Sequence, residues 1–183
     1  MQAEQTPLEG CFLIHNTVFN DDRGYFFESF NSQKFYKETG ANAAFVQDNQ
    51  SHSVKGVLRG LHFQKGEFAQ AKLVRVLKGE VLDVAVDLRK SSPTFGQYYS
   101  VVLSETSHTQ LYISRGFAHG FLVLSDVVDF FYKCDNLYNK ASEGGIIYND
   151  PQINIDWQTQ PEELIISSKD LALPRLNFYE VLF

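Results

Sequence analysis

The chain has 183 residues, 44% of them hydrophobic and 21% charged, which suffices for one compact domain with a sizeable core. Its 22 acidic and 16 basic residues give a net charge of −6 with no Lys/Arg run. That balance argues against a nucleic-acid or membrane-surface binder, but a few placed arginines could still hold a small anionic ligand. Aromatics reach 14%, with 16 Phe, 9 Tyr and a single Trp, as suits broad sheets with ring-bearing faces or a pocket that stacks flat ligands. Cys11 and Cys134 lack metal-site spacing and sit among apolar neighbours, as reduced core cysteines do. Met1–Leu8 carries no basic or apolar leader pattern and no segment approaches membrane-spanning length, so the cytoplasm is the expected compartment.

Short apolar runs bounded by Gly, Pro and polar turns dominate the chain, an all-β pattern. Cys11–Phe19 reads as a strand, Asp21-Asp22-Arg23-Gly24 as a turn and Tyr25–Phe30 as a second, ring-rich strand. Asn31–Glu38 reads as a helix, capped by Asn31 or Ser32, with Phe35 and Tyr36 on its apolar face and Gly40 as a left-handed stop. Leu73–Leu77 and Glu80–Leu88 flank a tight Lys78-Gly79 turn. In the latter strand Leu82, Val84 and Val86 share one face, and Val81, Asp83, Ala85 and Asp87 the other. Tyr98–Leu103, Gln110–Ile113, Gly120–Leu124 and Val127–Lys133 continue the series, and from Asn149 onward Pro151, Pro161 and Pro174 break the chain into loops and short helical turns. The expected architecture is mainly β, a jelly-roll barrel or sandwich with a few short helices, as a single domain over 1–183.

Three stretches place ionisable residues on apolar strands. In Val57-Leu58-Arg59-Gly60-Leu61-His62-Phe63-Gln64, Arg59 and His62 interrupt a hydrophobic run, and burying such groups costs several kcal/mol unless they are paired. Lys72 lies one strand later. His62 is either a neutral core histidine bonded to a backbone carbonyl or a working base. In Gly116-Phe117-Ala118-His119-Gly120-Phe121, glycines near His119 allow close approach of backbone or ligand. In Phe130-Phe131-Tyr132-Lys133, Tyr132 is a packing ring or a proton donor. A cupin-type metal set would require a His-x-His pair, and Gln64 stands where the second His belongs, although Glu67 and His119 could supply two further ligands. There is no Gly-x-Ser-x-Gly elbow and no glycine-rich phosphate loop, so a bound nucleotide would be held by side chains. His15, His52 and His108 read as surface or packing residues.

Seven blocks in order, from Phe19–Ser29, Phe45–Asn49, Val57–Gln64, Lys72–Arg75, Ser92–Gly96 and Gly116–Phe121 to Trp157 with Lys169-Asp170, resemble the dTDP-4-dehydrorhamnose 3,5-epimerases, a family with a cupin-like jelly roll. The resemblance runs from about Val18 to Pro174. It implies that His62 is the base acting at C5 and C3 of a dTDP-4-keto-6-deoxy sugar, oriented by Asp170, with Lys72 stabilising the enolate and Tyr132 returning a proton from the opposite face. It further implies that Phe19, Arg23, Phe27, Glu28, Gln47, Asn49, Arg59, Glu143 and Lys169 surround the nucleotide, that Tyr138 stacks on the thymine and that His119 lies near the sugar. The ketone acidifies both adjoining C–H bonds, so neither metal nor cofactor is expected. A homodimer that exchanges N-terminal strands also follows, with Arg23 and Glu28 completing the partner's pocket. Two departures stand out: Ser114-Arg115-Gly116 replaces the usual Pro-Glu-Gly, and Gln158 stands where proline is common. The competing readings are an epimerase inverting C3 or C5 alone, a sugar-nucleotide 3,4-ketoisomerase (which usually has the His-x-His pair that Gln64 denies), a non-catalytic sugar-nucleotide-binding barrel and a metal-dependent cupin oxygenase.

Overall fold

A computed structural model describes residues 1–179 and 183. In chain order the elements are β1 (Gln2–Gln5), β2 (Cys11–His15), β3 (Phe19–Asp21), β4 (Gly24–Phe26), α1 (Ser32–Thr39), β5 (Gln47–Val54), β6 (Val57–Gln64), β7 (Lys72–Lys78), β8 (Glu80–Asp87), β9 (Tyr98–Ser104), β10 (Gln110–Ile113), β11 (Phe117–Val123), β12 (Val127–Cys134), β13 (Glu143–Gly145), β14 (Ile165–Ile166) and α2 (Ser168–Leu171). They form a jelly-roll sandwich: one sheet runs β1-β2-β10-β7-β12-β5, and the other runs β13-β6-β11-β8-β9 with β14 pairing parallel to β6.

The inter-sheet core joins Leu13, Val74, Leu111 and Phe130 of the first sheet to Val81, Ala85, Leu103 and Phe121 of the second. Phe121 and Phe130 stack across it at 4.2 Å. Strand β8 is buried on both faces, because Leu82, Val84 and Val86 enter a second core built with Ile153, Trp157 and Leu176 of the C-terminal segment. Helix α1 closes the outer face of the first sheet, its Phe35 packed among Phe30, Phe45 and Tyr112.

The α1 caps follow the sequence: the Asn31 side chain accepts from Gln33 N and Lys34 N, and Gly40 takes φ 69°. Tyr36, expected on the buried face, is 57% exposed, and Phe35 alone anchors the helix. The expected strands Cys11–Phe19 and Tyr25–Phe30 are each shorter: β2 ends at His15, and β3 and β4 form a separate exposed hairpin. Strands β1 and β5 were not expected, and β11 begins three residues before the expected Gly120.

The Ser92-Pro93-Thr94 block wraps a buried carboxylate. Asp87 accepts from Arg89 Nε and Nη2 at 2.9 and 2.8 Å, from Ser92 Oγ at 2.6 Å and from Thr94 Oγ1 at 2.7 Å. Burial alone would push its pKa up, but these hydrogen bonds outweigh burial and hold it below the usual carboxylate range. A depressed folded-state pKa contributes stability that is present above the unfolded value, about 4, and is lost as pH falls through the lower folded value. Asp87→Asn is therefore expected to destabilise the fold at pH 7 by about 3 kcal/mol, where the cost of an unsatisfied buried group meets that of breaking a buried ion pair. The deficit against wild type should shrink below about pH 4. Urea unfolding at several pH values measures both effects.

Candidate active site

A cavity of about 810 Å³ opens between the two sheets, lined by β5 and β12 on one side and by β6, β11 and the β14–α2 segment on the other. Arg59 and His62 both line it. In a regular strand, residues three apart point to opposite faces. Here β6 pairs His62 with His119 and Arg59 with Phe121, so three steps on β6 match two on β11, and this bulge turns both side chains inward. Glycine is required at the bulge: a Cβ on Gly60 would lie 2.6 Å from Gly120 Cα, and one on Gly120 would lie 2.7 Å from the Arg59 carbonyl oxygen.

The parallel pairing of Ile165-Ile166 with Val57-Leu58 carries the following turn to the same spot. Ser167 caps α2 by accepting from Asp170 N at 3.1 Å, and Asp170, 5% exposed, receives His62 Nε2 on its Oδ1 at 2.7 Å. Its Oδ2 accepts from Gly60 N at 3.4 Å. Burial would raise the Asp170 pKa, but the hydrogen bond and charge of His62 prevail and hold it low. A charged Asp170 that accepts Nε2–H leaves the basic lone pair of His62 on Nδ1. The His62 side chain is one-third exposed, so it reaches both the cavity and its anchor.

Tyr132 lies on the opposite wall. On β12 it alternates inward with Phe130 and Cys134, and Cys134 pairs with Lys72 of β7. The Tyr132 hydroxyl has no hydrogen-bond partner among the described residues, and burial raises its pKa, so the phenol keeps its proton at neutral pH. Lys72 lines the cavity beside the Tyr132 ring, 5.7 Å from the ring centroid. Burial lowers its pKa against the pull of Cys134, Asp83 and Glu143. His119 lines the cavity as a neutral ring, its pKa lowered by burial. Arg59 bonds Ser53 Oγ at 3.1 Å and has no acidic partner among the described residues, which leaves its charge for an anionic ligand.

Asn49 and Lys169 line the same cavity. Gln47, Tyr138 and Glu143 line an adjoining one of about 270 Å³ that shares His62, Lys72 and Tyr132. Glu143 joins the rim groups, accepting from Lys169 Nζ at 2.7 Å and from Tyr138 OH at 3.1 Å. Phe19, Arg23, Phe27 and Glu28 do not reach either cavity. Phe19 is 62% exposed, Arg23 pairs with Asp21, Glu28 pairs with Lys34, and Phe27 packs on Tyr25 and His108.

The family model for dTDP-4-dehydrorhamnose 3,5-epimerase matches residues 5–177. The chain belongs to that family. It is 52% identical over 174 residues to the dTDP-4-dehydrorhamnose 3,5-epimerase of Salmonella typhimurium, covering 94% of each chain. Its fold superposes with a TM-score of 0.95 on the dTDP-4-dehydrorhamnose 3,5-epimerase of Elizabethkingia anophelis, at 52% identity over 99% of each chain. It also matches the dTDP-6-deoxy-D-glucose-3,5-epimerase of Legionella pneumophila, solved with dTDP-4-keto-L-rhamnose, at TM-score 0.94 and 47% identity, covering 98% of this chain and 94% of that one. The chain is thus an epimerase, an isomerase built on the cupin-like jelly roll.

Both departures from the family pattern have local causes. Arg115 Nε reaches Asp135 Oδ2 at 2.8 Å, and Asp135 Oδ1 accepts from Ala71 N at 2.6 Å, so the altered turn is tied to the start of β7. Gln158 has φ 56°, which the ring of a proline cannot adopt. Glu67, one of the two further ligands named for a metal set, is exposed on a 3-10 turn outside both cavities. Gln64 accepts from Asn139 N at 2.9 Å. His15 and His52 pair with Glu4 and Asp129 at the surface, and His108 packs against Tyr25 and Phe27. Asp83, fully buried and bonded to His119, escaped the sequence reading although it interrupts an apolar strand much as His62 does.

Asp170→Asn is expected to lower kcat about 100-fold with KM within a few-fold. An amide that offers its NH2 to His62 favours the wrong tautomer and withdraws the compensating charge. Initial rates across substrate concentration check this.

Proposed function

We propose that this chain converts dTDP-4-dehydro-6-deoxy-D-glucose to dTDP-4-dehydro-L-rhamnose by inverting C5 and C3, as a single catalytic domain over 1–183. The observation that carries the reading is the placement of a carboxylate-anchored His62 on one sheet and an unbonded Tyr132 hydroxyl on the other, both facing one cavity. Loss of a proton to one wall and gain from the other inverts a carbon centre. His62 Nδ1 takes the proton beside the C4 ketone, the electron pair moves to O4, and the Lys72 ammonium stabilises the enolate. Tyr132 then protonates carbon from the opposite face; solvent reprotonates the phenolate and takes up the proton held by His62, which resets both groups. The same cycle at the second carbon completes the reaction. The ketone supplies the C–H acidity, so the scheme uses no cofactor.

Nucleotide binding falls to Arg59, Lys169, Glu143, Gln47, Asn49 and Tyr138, which surround the cavity mouth, with His119 beside the sugar. The β3–β4 hairpin carries exposed Phe19, Tyr25 and Phe26 and holds Arg23 away from its own cavity. That placement supports a homodimer in which Phe19, Arg23, Phe27 and Glu28 complete the neighbouring subunit's pocket. Arg23→Ala is expected to raise KM about 10-fold with kcat within twofold, because it removes ground-state binding to the nucleotide. Steady-state kinetics measures the split.

To test the reaction, protein dialysed against chelator is incubated with dTDP-4-dehydro-6-deoxy-D-glucose and the product stereochemistry is read by NMR. Inversion at both carbons is expected. Inversion at one would make the chain a mono-epimerase, and an unchanged sugar would refute the proposal. Activity lost to chelator and restored by Fe(II) would return the metal-dependent reading.

A further inference from the structure

Asp83 sits in the middle of β8, wholly buried, and between Glu80 and Asp87 the strand is otherwise Val, Leu and Ala. Both of its carboxylate oxygens face His119 Nε2, at 3.1 and 3.0 Å, and no other hydrogen bond reaches them among the described residues. A buried carboxylate with a single neutral donor is costly unless a cation balances it. His119 does not supply that charge: it is buried as well, and burial lowers its pKa. Lys72 lines the cavity with His119 and has no hydrogen bond or ion pair among the described residues.

Three groups favour a charged Lys72: Cys134, Asp83 and Glu143. Burial pushes the Cys134 thiol pKa up, so it is uncharged at neutral pH. Glu143 is already engaged by Lys169 and Tyr138. Two further carboxylates line the cavity, and both are engaged: Asp170 by His62 and Asp48 by Lys133. His119, Arg59 and Tyr132 offer no carboxylate. Asp83 is the carboxylate left without a cationic partner among the described residues.

We propose that Asp83 is a positioning residue whose buried carboxylate is the counter-charge of Lys72 and the anchor that fixes the His119 ring. It never touches the sugar. By holding Lys72 charged it preserves the electrophile that the enolate requires, and by accepting Nε2–H it leaves His119 Nδ1 as an acceptor. The catalytic consequence rests on the epimerase reading above, but the charge coupling does not.

Asp83→Asn keeps an oxygen for His119 and removes the charge. The pH dependence of Lys72 acetylation by acetic anhydride, read by peptide mass spectrometry, is expected to shift its midpoint down by about one pH unit or more. An unmoved midpoint overturns the proposal. If Asp83→Asn fails to fold, Lys72→Met tests the same coupling in reverse, since linkage is reciprocal. The His119 ring should then titrate at higher pH by NMR, and an unchanged His119 overturns the proposal. Neither readout uses substrate, so both remain decisive if the wild-type protein proves inactive on the sugar nucleotide. With substrate, Asp83→Asn is expected to lower kcat at pH 7 about 10-fold with KM within threefold, and to move the alkaline limb of the kcat profile to lower pH. In a Lys72→Met background the same change should cost nothing further. Losses that multiply in that background would mean that Asp83 acts independently of Lys72, and would overturn the assignment.

Discussion

His62→Asn is expected to lower kcat about a thousandfold or more, equivalent to about 4 kcal/mol of transition-state stabilisation. The asparagine amide can still donate to Asp170, so the buried carboxylate keeps a partner and the local structure survives. What disappears is the lone pair on Nδ1. The other cavity-lining groups of this sheet are poorer bases: Arg59 is always cationic, and His119 is buried where His62 is one-third exposed, with its pKa lowered by that burial. KM should change little, because the residues proposed to hold the nucleotide lie elsewhere around the cavity. Initial rates with the variant, alongside a thermal melt that shows it folded, check both halves of the expectation.

Tyr132→Phe is expected to lower the rate of inversion about 100- to 1000-fold while leaving stability unchanged or slightly improved. The Tyr132 hydroxyl bonds nothing in the protein among the described residues, so its removal strands no donor or acceptor. The ring keeps its contacts with Phe130, at 6.2 Å between centroids, and with Lys72. A fall in activity with an intact melting curve therefore isolates the proton that the phenol delivers. Because burial raises the Tyr132 pKa, the wild-type enzyme should not lose this donor until pH exceeds the ordinary phenol value of about 10.

The parts of this molecule that were legible in the sequence share a physical cause. Asn31 and Gly40 announce α1 because caps depend on local backbone chemistry. Lys78-Gly79 marks a true break, because glycine readily accepts φ 81°, but β7 and β8 pair in different sheets, so the tight hairpin expected there is instead a crossing from one sheet to the other. His62, Arg59 and Lys72 stand out because ionisable groups on apolar strands demand a reason. Strand β5 stayed hidden because its alternate residues Gln47, Asn49, Ser51 and Ser53 are polar, and most of them face the cavity rather than a dry core. Strand β1, Gln2–Gln5, has almost no apolar content and exists through its pairing with β2.

Distance along the chain set the other limit. Asp170 reaches His62 from 108 residues away, through the parallel β14 pairing that no local pattern encodes. Family resemblance supplied that partnership, and the dyad geometry agrees with it. Residues 59 and 62 share a face only because of the β6 bulge, which strict alternation would not predict. Asp83 was placed on the face of β8 opposite Leu82, Val84 and Val86, but its partner was out of view.

The most direct test of the base-and-acid assignment is deuterium content at C3 and C5 of the sugar recovered after incubation in D2O with each variant. Tyr132→Phe is predicted to place deuterium at C5 of sugar that has kept its original configuration, because His62 removes and returns hydrogen on one face. His62→Asn is predicted to leave the sugar unlabelled. Wild-type rates of exchange in His62→Asn, or no exchange at all in Tyr132→Phe, would contradict the assignment.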